Sequence, residues 1–190
     1  MRTTKLWLAL VALVVSVAGT AIAQAPAPTA KVSTPGSSSS EVFVGYLFQP
    51  TDWGTTKTNG IDANYTYFFT NRIGVVLDVD YARAGETTNI SSVTGRVGPR
   101  VNLIKNSRIQ PYVDFLVGGA NLTADVRYPG FSGLVDKSWH GLTWAGGGGI
   151  DFHLTHHLGA RFQGDWTHLP YGNHDSSDWQ RLAFGATWKW

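Results

Sequence analysis

The stretch Arg181-Leu182-Ala183-Phe184-Gly185-Ala186-Thr187-Trp188-Lys189-Trp190 decides the fold. Leu182, Phe184, Ala186, Trp188 and Trp190 occupy every second position, and Arg181, Ala183, Gly185, Thr187 and Lys189 fill the positions between them. Side chains of an extended chain project to opposite faces in turn, so this spacing describes a β-strand with one apolar face and one polar or small face. Wound as a helix, the same residues would spread the apolar set around the axis and leave no stripe to bury.

The alternation continues back along the chain. Leu158, Ala160, Phe162 and Trp166 oppose Arg161, Gln163, Asp165 and Thr167. Leu142, Trp144, Ile150, Phe152 and Leu154 oppose Thr143, Asp151 and His153, with Gly146 to Gly149 between them. Further strands are expected around Val113, Val97, Leu77 and Tyr65. A first one lies near Val42 to Phe48, where Phe43 and Leu47 blur the two faces. The connections alternate. Short ones fall at Thr70-Asn71-Arg72, Lys105-Asn106-Ser107 and Thr155-His156-His157; long ones span 50–59, 84–92, 121–137 and 167–178. Eight strands with tight turns at one end and long loops at the other predict an all-β, eight-stranded antiparallel up-and-down transmembrane β-barrel.

A soluble lipocalin-like binding barrel would alternate as well, with its apolar face inside. Two features favour apolar-out. The polar face is dominated by small residues with few charges, which suits a lumen that only side chains can fill and not a solvated exterior. Aromatic residues gather near strand ends: Trp139, Trp166 and Trp179 beside long loops, Tyr67 and Phe69 beside short turns. Two such belts are expected at two lipid–water interfaces.

The ending Gly185-Ala186-Thr187-Trp188-Lys189-Trp190 resembles the C-terminal strand signal of outer-membrane proteins: glycine, two residues, an aromatic, one residue, a final aromatic. The polar residue usual two places before the glycine is Ala183 here. The stretch 41–190 resembles the small eight-stranded outer-membrane barrel family, outer membrane protein A-like or opacity-type. The resemblance implies that Gly185, Trp188 and Trp190 are read by the assembly machinery of the outer membrane. It also implies that outer-membrane lipids and lipopolysaccharide surround the barrel.

Met1 to Ala23 has the form of a secretory signal peptide. Arg2 and Lys5 supply the positive start, Leu6 to Val17 the apolar run, and Ala21-Ile22-Ala23 the small residues before cleavage. The run is shorter than the ~20 residues that span a bilayer as a helix. Residues 24–40 contain Pro26, Pro28, Pro35 and four consecutive serines, and are expected to be a flexible linker. The barrel is expected over 41–190, with no peptidoglycan-binding domain after it. Lys and Arg total 15 against 13 Asp and Glu, so loss of Arg2 and Lys5 leaves the chain neutral. Nothing there points to nucleic acid. The absence of cysteine excludes disulfides, zinc–thiolate sites and a cysteine nucleophile.

Residue numbers of antiparallel neighbours across a hairpin sum to a constant. On that rule Asp80 pairs with Arg96, Arg100 with Asp114, Asp151 with Arg161 and Asp165 with Arg181, each pair centred on an assigned connection. Opposite charges set side by side relieve the cost of burying either in a narrow lumen, and arginine can bind a carboxylate through two nitrogens. The expected role is a structural plug. A small ion channel is the competing use of the same charges.

Chemistry finds little support. Lipid A deacylases resemble the chain in size, but their pattern needs histidine, then serine two residues on, with a glutamate. Here Leu169 and Pro170 follow His168, and the glutamates are Glu41 and Glu86. A palmitoyltransferase-like site would need a cluster such as His174, Asp175, Ser176, Ser177 and Asp178, which reads as an ordinary polar loop. His156-His157 sits in a turn, where adjacent side chains chelate poorly, and Gly146 to Gly149 lacks the Lys-Ser/Thr of a phosphate loop. No catalytic residue, metal or cofactor is expected. The reading is a non-enzymatic outer-membrane barrel serving envelope structure or surface interaction, with Tyr128, Pro129, Phe131 and Leu134 as the candidate contact surface. A lipid A-modifying enzyme is a further alternative.

Overall fold

Each alternating segment forms a strand, and the strands close into a barrel in chain order. The computed structural model describes residues 39–50, 57–84, 89–104, 107–127, 134–171 and 175–190. The strands are β1 (Ser39–Pro50), β2 (Lys57–Phe68), β3 (Ile73–Ala84), β4 (Asn89–Asn102), β5 (Ile109–Arg127), β6 (Leu134–His153), β7 (Leu158–Tyr171) and β8 (Asp175–Lys189). The connections expected to be long need a correction. The strands continue through most of 50–59, 84–92, 121–137 and 167–178 and leave only 51–56, 85–88, 128–133 and 172–174 between them, because ladder pairing goes on where the apolar alternation has faded. Every neighbouring pair is antiparallel. β1 pairs with β8, Gly45 opposite Gly185 and Glu41 opposite Lys189, so no strand is left with an open edge. β1 begins at Ser39, so Ser39 and Ser40, expected to lie in the 24–40 linker, belong to the strand. Ser40 exchanges backbone hydrogen bonds with Trp190, N–H to O at 3.2 and 3.0 Å.

Two of the short turns are made by their own threonines. Thr70 Oγ1 accepts from the backbone N–H of Ile73 at 3.0 Å, and Thr155 Oγ1 from that of Leu158 at 2.9 Å. A hydroxyl that satisfies a turn's free N–H lets the chain reverse within four residues.

The apolar face is outside. Ile61, Leu77, Phe115, Phe162, Phe184 and Trp188 are all exposed, while the lumen side holds the buried charges. In β1 the inward positions include Phe43 and Leu47, both fully buried, and Val44 and Tyr46 face out. The first strand reads ambiguously because both of its faces carry large apolar side chains.

The lumen is layered. Ala120, Leu122, Leu169 and Trp179 form an apolar layer towards the long-loop end, with Ile90 and Trp139 packed against it. Charged residues fill the middle and the short-turn end. Room for the large inward side chains comes from glycine on the facing strand. A Cβ on Gly149 would lie 2.6 Å from the Tyr112 hydroxyl and 2.4 Å from the Phe162 carbonyl oxygen, so only glycine lets Tyr112 lie there.

Candidate functional site

Two layers of ion pairs fill the barrel. Nearer the short turns, β6 and β7 place Asp151 opposite Arg161, and β4 and β5 place Arg100 opposite Asp114. Arg161 binds Asp151 through two nitrogens, Nε to Oδ1 at 2.6 Å and Nη2 to Oδ2 at 2.8 Å. Arg100 donates to Asp114 Oδ2 from Nη2 at 2.8 Å and Nε at 3.2 Å. The remaining donors cross the lumen. Arg161 Nη1 reaches Asn64 at 3.1 Å and Nη2 reaches Glu41, while Arg100 Nη1 reaches Thr66 at 3.2 Å. The Tyr112 ring lies between the two guanidiniums, 4.0 Å from that of Arg100 and 4.9 Å from that of Arg161. Its hydroxyl donates to Gln163 Oε1 at 3.0 Å.

The upper layer centres on Arg181. Its Nη1 donates to Asp78 at 2.8 Å and Asp80 at 2.9 Å, its Nη2 to Asp62 at 3.0 Å and Asp78 at 2.9 Å, and its Nε lies 3.1 Å from Asp165. Arg96 completes the layer, donating to Asp78 from Nε at 3.2 Å and pairing with Asp80. Asp165 stands directly opposite Arg181, as the hairpin rule places it. Arg96 stands opposite Asp78, and Asp80 opposite Thr94, so the Arg96–Asp80 contact is diagonal. All four arginine side chains have no exposed surface. Among the described residues the lumen holds seven buried carboxylates against four arginines.

Sequence reasoning did not enlist Glu41, Asp62 or Asp78. Asp62 and Asp78 share the polar parity and were visible to that extent. Glu41 was not, because it meets Arg161 across the lumen and no hairpin relation connects residues that far apart.

The aromatic belt needs a correction. Trp166, Tyr67 and Phe69 are exposed on the outer face, as expected of residues at a lipid–water interface. Trp139 and Trp179 are not there. Trp179 shares the parity of Arg181 and is 6% exposed, and Trp139 packs beside it on the inside. Nearness to a long loop suggested a belt, but strand parity decides the face. Both residues help to seal the long-loop end of the lumen. The outer surface there carries Trp144 instead.

At the other end, Trp188 stacks on His157 at 5.7 Å, and His157 Nδ1 lies 2.9 Å from the Lys189 carbonyl oxygen. Trp190 meets the Tyr65 ring at 6.4 Å. A Cβ on Gly185 would come within 2.3 Å of Gly45 Cα, so the seam between β1 and β8 needs glycine at that rung. His153 bonds Gln110 at 2.8 Å inside the barrel. Tyr128, Pro129, Phe131 and His174 lie outside the described residues; Leu134 opens β6 and Asp175 opens β8.

One outward-facing cluster was also missed. His168 on β7 stands opposite Asp178 on β8, Nδ1 to Oδ1 at 2.7 Å, and its ring stacks on Trp144 at 5.5 Å and 13°. It lies one outward step above Trp166 and Gln180, past the last outward apolar residues described on β7 and β8 and level with the exposed Trp144 of β6. Hydrogen bonds from His168 chiefly, and from Trp166, hold the Asp178 carboxyl below its usual range. Among the described residues no group of three His, Asp or Glu could hold a metal ion.

A closed eight-stranded barrel, apolar outside and charged within, is an integral membrane β-barrel. The chain belongs to the outer membrane protein beta-barrel domain family, whose model matches residues 8–189. It is therefore a barrel of the outer membrane of a Gram-negative envelope. Solved structures share the fold at low identity. Neisserial surface protein A has 10% identity over 83% of this chain and 98% of its own, with a TM-score of 0.60. Ail, the attachment invasion locus protein of Yersinia pestis, has 18% identity over 83% of this chain and 100% of its own, with a TM-score of 0.56. The N-terminal barrel domain of Pseudomonas aeruginosa OprF has 14% identity over 83% and 100%, with a TM-score of 0.52. No curated protein matches the sequence.

Proposed function

We propose that this barrel is a non-enzymatic, non-conducting outer-membrane protein whose lumen charges are a structural plug, serving envelope structure or surface interaction through the strand ends and loops opposite the short turns. The observation that carries this reading is the enclosure of Arg96, Arg100, Arg161 and Arg181, which tie strands together across the lumen. An ion path needs mobile water and counter-ions. Here each guanidinium is held by carboxylates at hydrogen-bond distance and the apolar layer with Trp179 lies above them. Surface interaction as a use of this fold is supported by one structural neighbour, Ail, which has a structure in complex with the heparin analogue sucrose octasulfate.

In the same reading, residues 1–23 are the signal peptide, the linker ends before Ser39, and Gly185, Trp188 and Trp190 are the signal read by the assembly machinery. Trp166, Tyr67 and Phe69 anchor the barrel at the two interfaces. The test is conductance of the purified protein in planar bilayers, with lipid A mass measured after expression. No unitary steps and an unchanged lipid A mass are expected. Reproducible ohmic steps would replace the plug with a channel, and a new lipid A species would replace both with an enzyme.

A further inference from the structure

The outer wall formed by β6, β7 and β8 carries two features that the lumen plug does not use. The first is the pair His168–Asp178, where the outward apolar residues of β7 and β8 end. Below it on β8 the outward residues are Gln180, then Leu182 and Phe184; on β7 they are Trp166, Gly164 and Phe162. Asp178 lies at Nδ1 of the imidazole and Trp144 lies along its face, so Nε2 is the ring nitrogen left for a ligand, on a side chain 30% exposed. When protonated, Nε2 donates, and Asp178 on the other nitrogen balances the charge.

The second feature is a furrow beneath this pair. Gly146 stands opposite Trp166, and Gly148 opposite Gly164, so three neighbouring outward positions lack side chains. Phe115, Trp166, Phe162 and Leu182 wall them. Gly148 is required by packing, since a Cβ there would meet the Tyr112 carbonyl oxygen at 2.2 Å. The other two are not. A Cβ on Gly146 would meet Phe115 at 3.6 Å and one on Gly164 would meet Leu182 at 3.5 Å, both ordinary contacts. Glycine weakens a strand, so positions left bare without steric need call for another occupant. Outward positions recur every two residues, about 6.7 Å, so the furrow begins within one to two steps of His168 and runs towards the bilayer centre.

We propose that this wall binds one phosphate-headed lipid of the outer leaflet, its phosphate on Nε2 of His168 and one acyl chain in the furrow floored by Gly146, Gly148 and Gly164. The imidazolium between phosphate and carboxylate supplies a charge-assisted hydrogen bond at the headgroup level. Trp144 and Trp166 supply the amphipathic faces suited to that depth. The furrow supplies shape for a chain that would otherwise meet a continuous wall of aromatic side chains.

The test is native mass spectrometry of the full chain from dodecyl maltoside micelles with added dioleoyl phosphatidylglycerol. One retained lipid per barrel is expected. His168→Gln should lower retention about tenfold, and Gly164→Leu, which fills the furrow and leaves the headgroup site intact, should lower it similarly. Leu103→Ala, elsewhere on the outer face, should change nothing. Dioleoylglycerol has the same tails without phosphate, and the parent barrel should retain it no better than His168→Gln retains the phosphatidylglycerol. Inorganic phosphate should not displace the bound lipid. Migration in unheated SDS gels establishes that each variant is a closed barrel, independently of lipid retention and of conductance. Equal retention of dioleoylglycerol, or unchanged retention in His168→Gln and Gly164→Leu, would overturn the site. Displacement by millimolar inorganic phosphate would overturn the lipid as its ligand.

Discussion

Arg181→Met should be among the most damaging single substitutions in the barrel. Methionine keeps much of the aliphatic stem and removes the guanidinium. Arg181 contacts four carboxylates: Asp62, Asp78, Asp80 and Asp165. Asp78 and Asp80 keep Arg96. Asp62 loses its ion pair, and Asp165 keeps the amide of Gln163 at 2.8 Å. The upper layer passes from four carboxylates against two guanidiniums to four against one. Removing one partner of a buried ion pair costs about 3–5 kcal/mol, because the other charge stays buried without compensation. Two carboxylates are stranded here, which places the expected loss near the upper end of that range. The assay is urea unfolding of the barrel refolded into phosphatidylcholine vesicles, followed by tryptophan fluorescence. A loss of ~4 kcal/mol corresponds to nearly a thousandfold in the folded-to-unfolded ratio. Adding Asp62→Asn should restore part of it, about 1–2 kcal/mol, since a neutral amide is cheaper to bury than an unpaired carboxylate. An Arg181→Met barrel within ~0.5 kcal/mol of the parent would refute the reasoning, as would a double variant no better than the single one. Either result would mean that water or ions already solvate the layer.

Other outcomes follow from the same geometry. Gly149→Ala should destabilise by ~1–3 kcal/mol in the same assay, because its Cβ would overlap the Tyr112 hydroxyl and the Phe162 carbonyl oxygen. Trp179→Ala should cost ~3–5 kcal/mol, as for a large aromatic removed from a packed interior, and Trp166→Ala on the lipid face distinctly less. A belt position for Trp179 would reverse that order. The mass of the protein isolated from outer membranes should correspond to a chain beginning at Gln24; a mass that includes residues 1–23 would remove the cleaved leader. In planar bilayers, the double variant Arg161→Ala with Arg181→Ala should leak current where the parent does not, if it remains a closed barrel in unheated gels.

The architecture was legible because a barrel wall obeys one local rule. Every strand separates a lipid from a lumen, so period-two alternation is imposed from Ile61 to Trp190 with few exceptions, and turn chemistry such as Thr155 marks the reversals. The rule blurred in β1, where Phe43 and Leu47 fill the lumen with apolar bulk. The hairpin relation set Asp165, Asp151 and Arg100 against their direct partners, but missed by two residues at β3–β4, where Arg96 faces Asp78 and still reaches Asp80 diagonally. The connection assigned over 84–92 does not mark its centre closely enough: the observed pairing is centred one residue earlier than assumed. Tryptophan position misled for a related reason. Distance from a loop measures height along the barrel, whereas parity determines inside or outside, and Trp139 and Trp179 had been placed by height alone.

What the hairpin relation cannot express is reach. A guanidinium carries five donors on a stem long enough to cross an eight-stranded lumen, and its direct neighbour engages only one or two of its nitrogens. The donors left over on Arg161 select Asn64 and Glu41, and those on Arg181 select Asp62, Asp78 and Asp80, on strands far away in the sequence. The cross-strand pair therefore anchors each arginine, and the contacts across the lumen use what the anchor leaves free. This explains why the charged layers join β1, β2 and β3 to β7 and β8, where strand hydrogen bonds alone connect only neighbours. It also explains why lysine could not substitute: one ammonium on a flexible stem would satisfy the anchor or the crossing, and the planar fork does both.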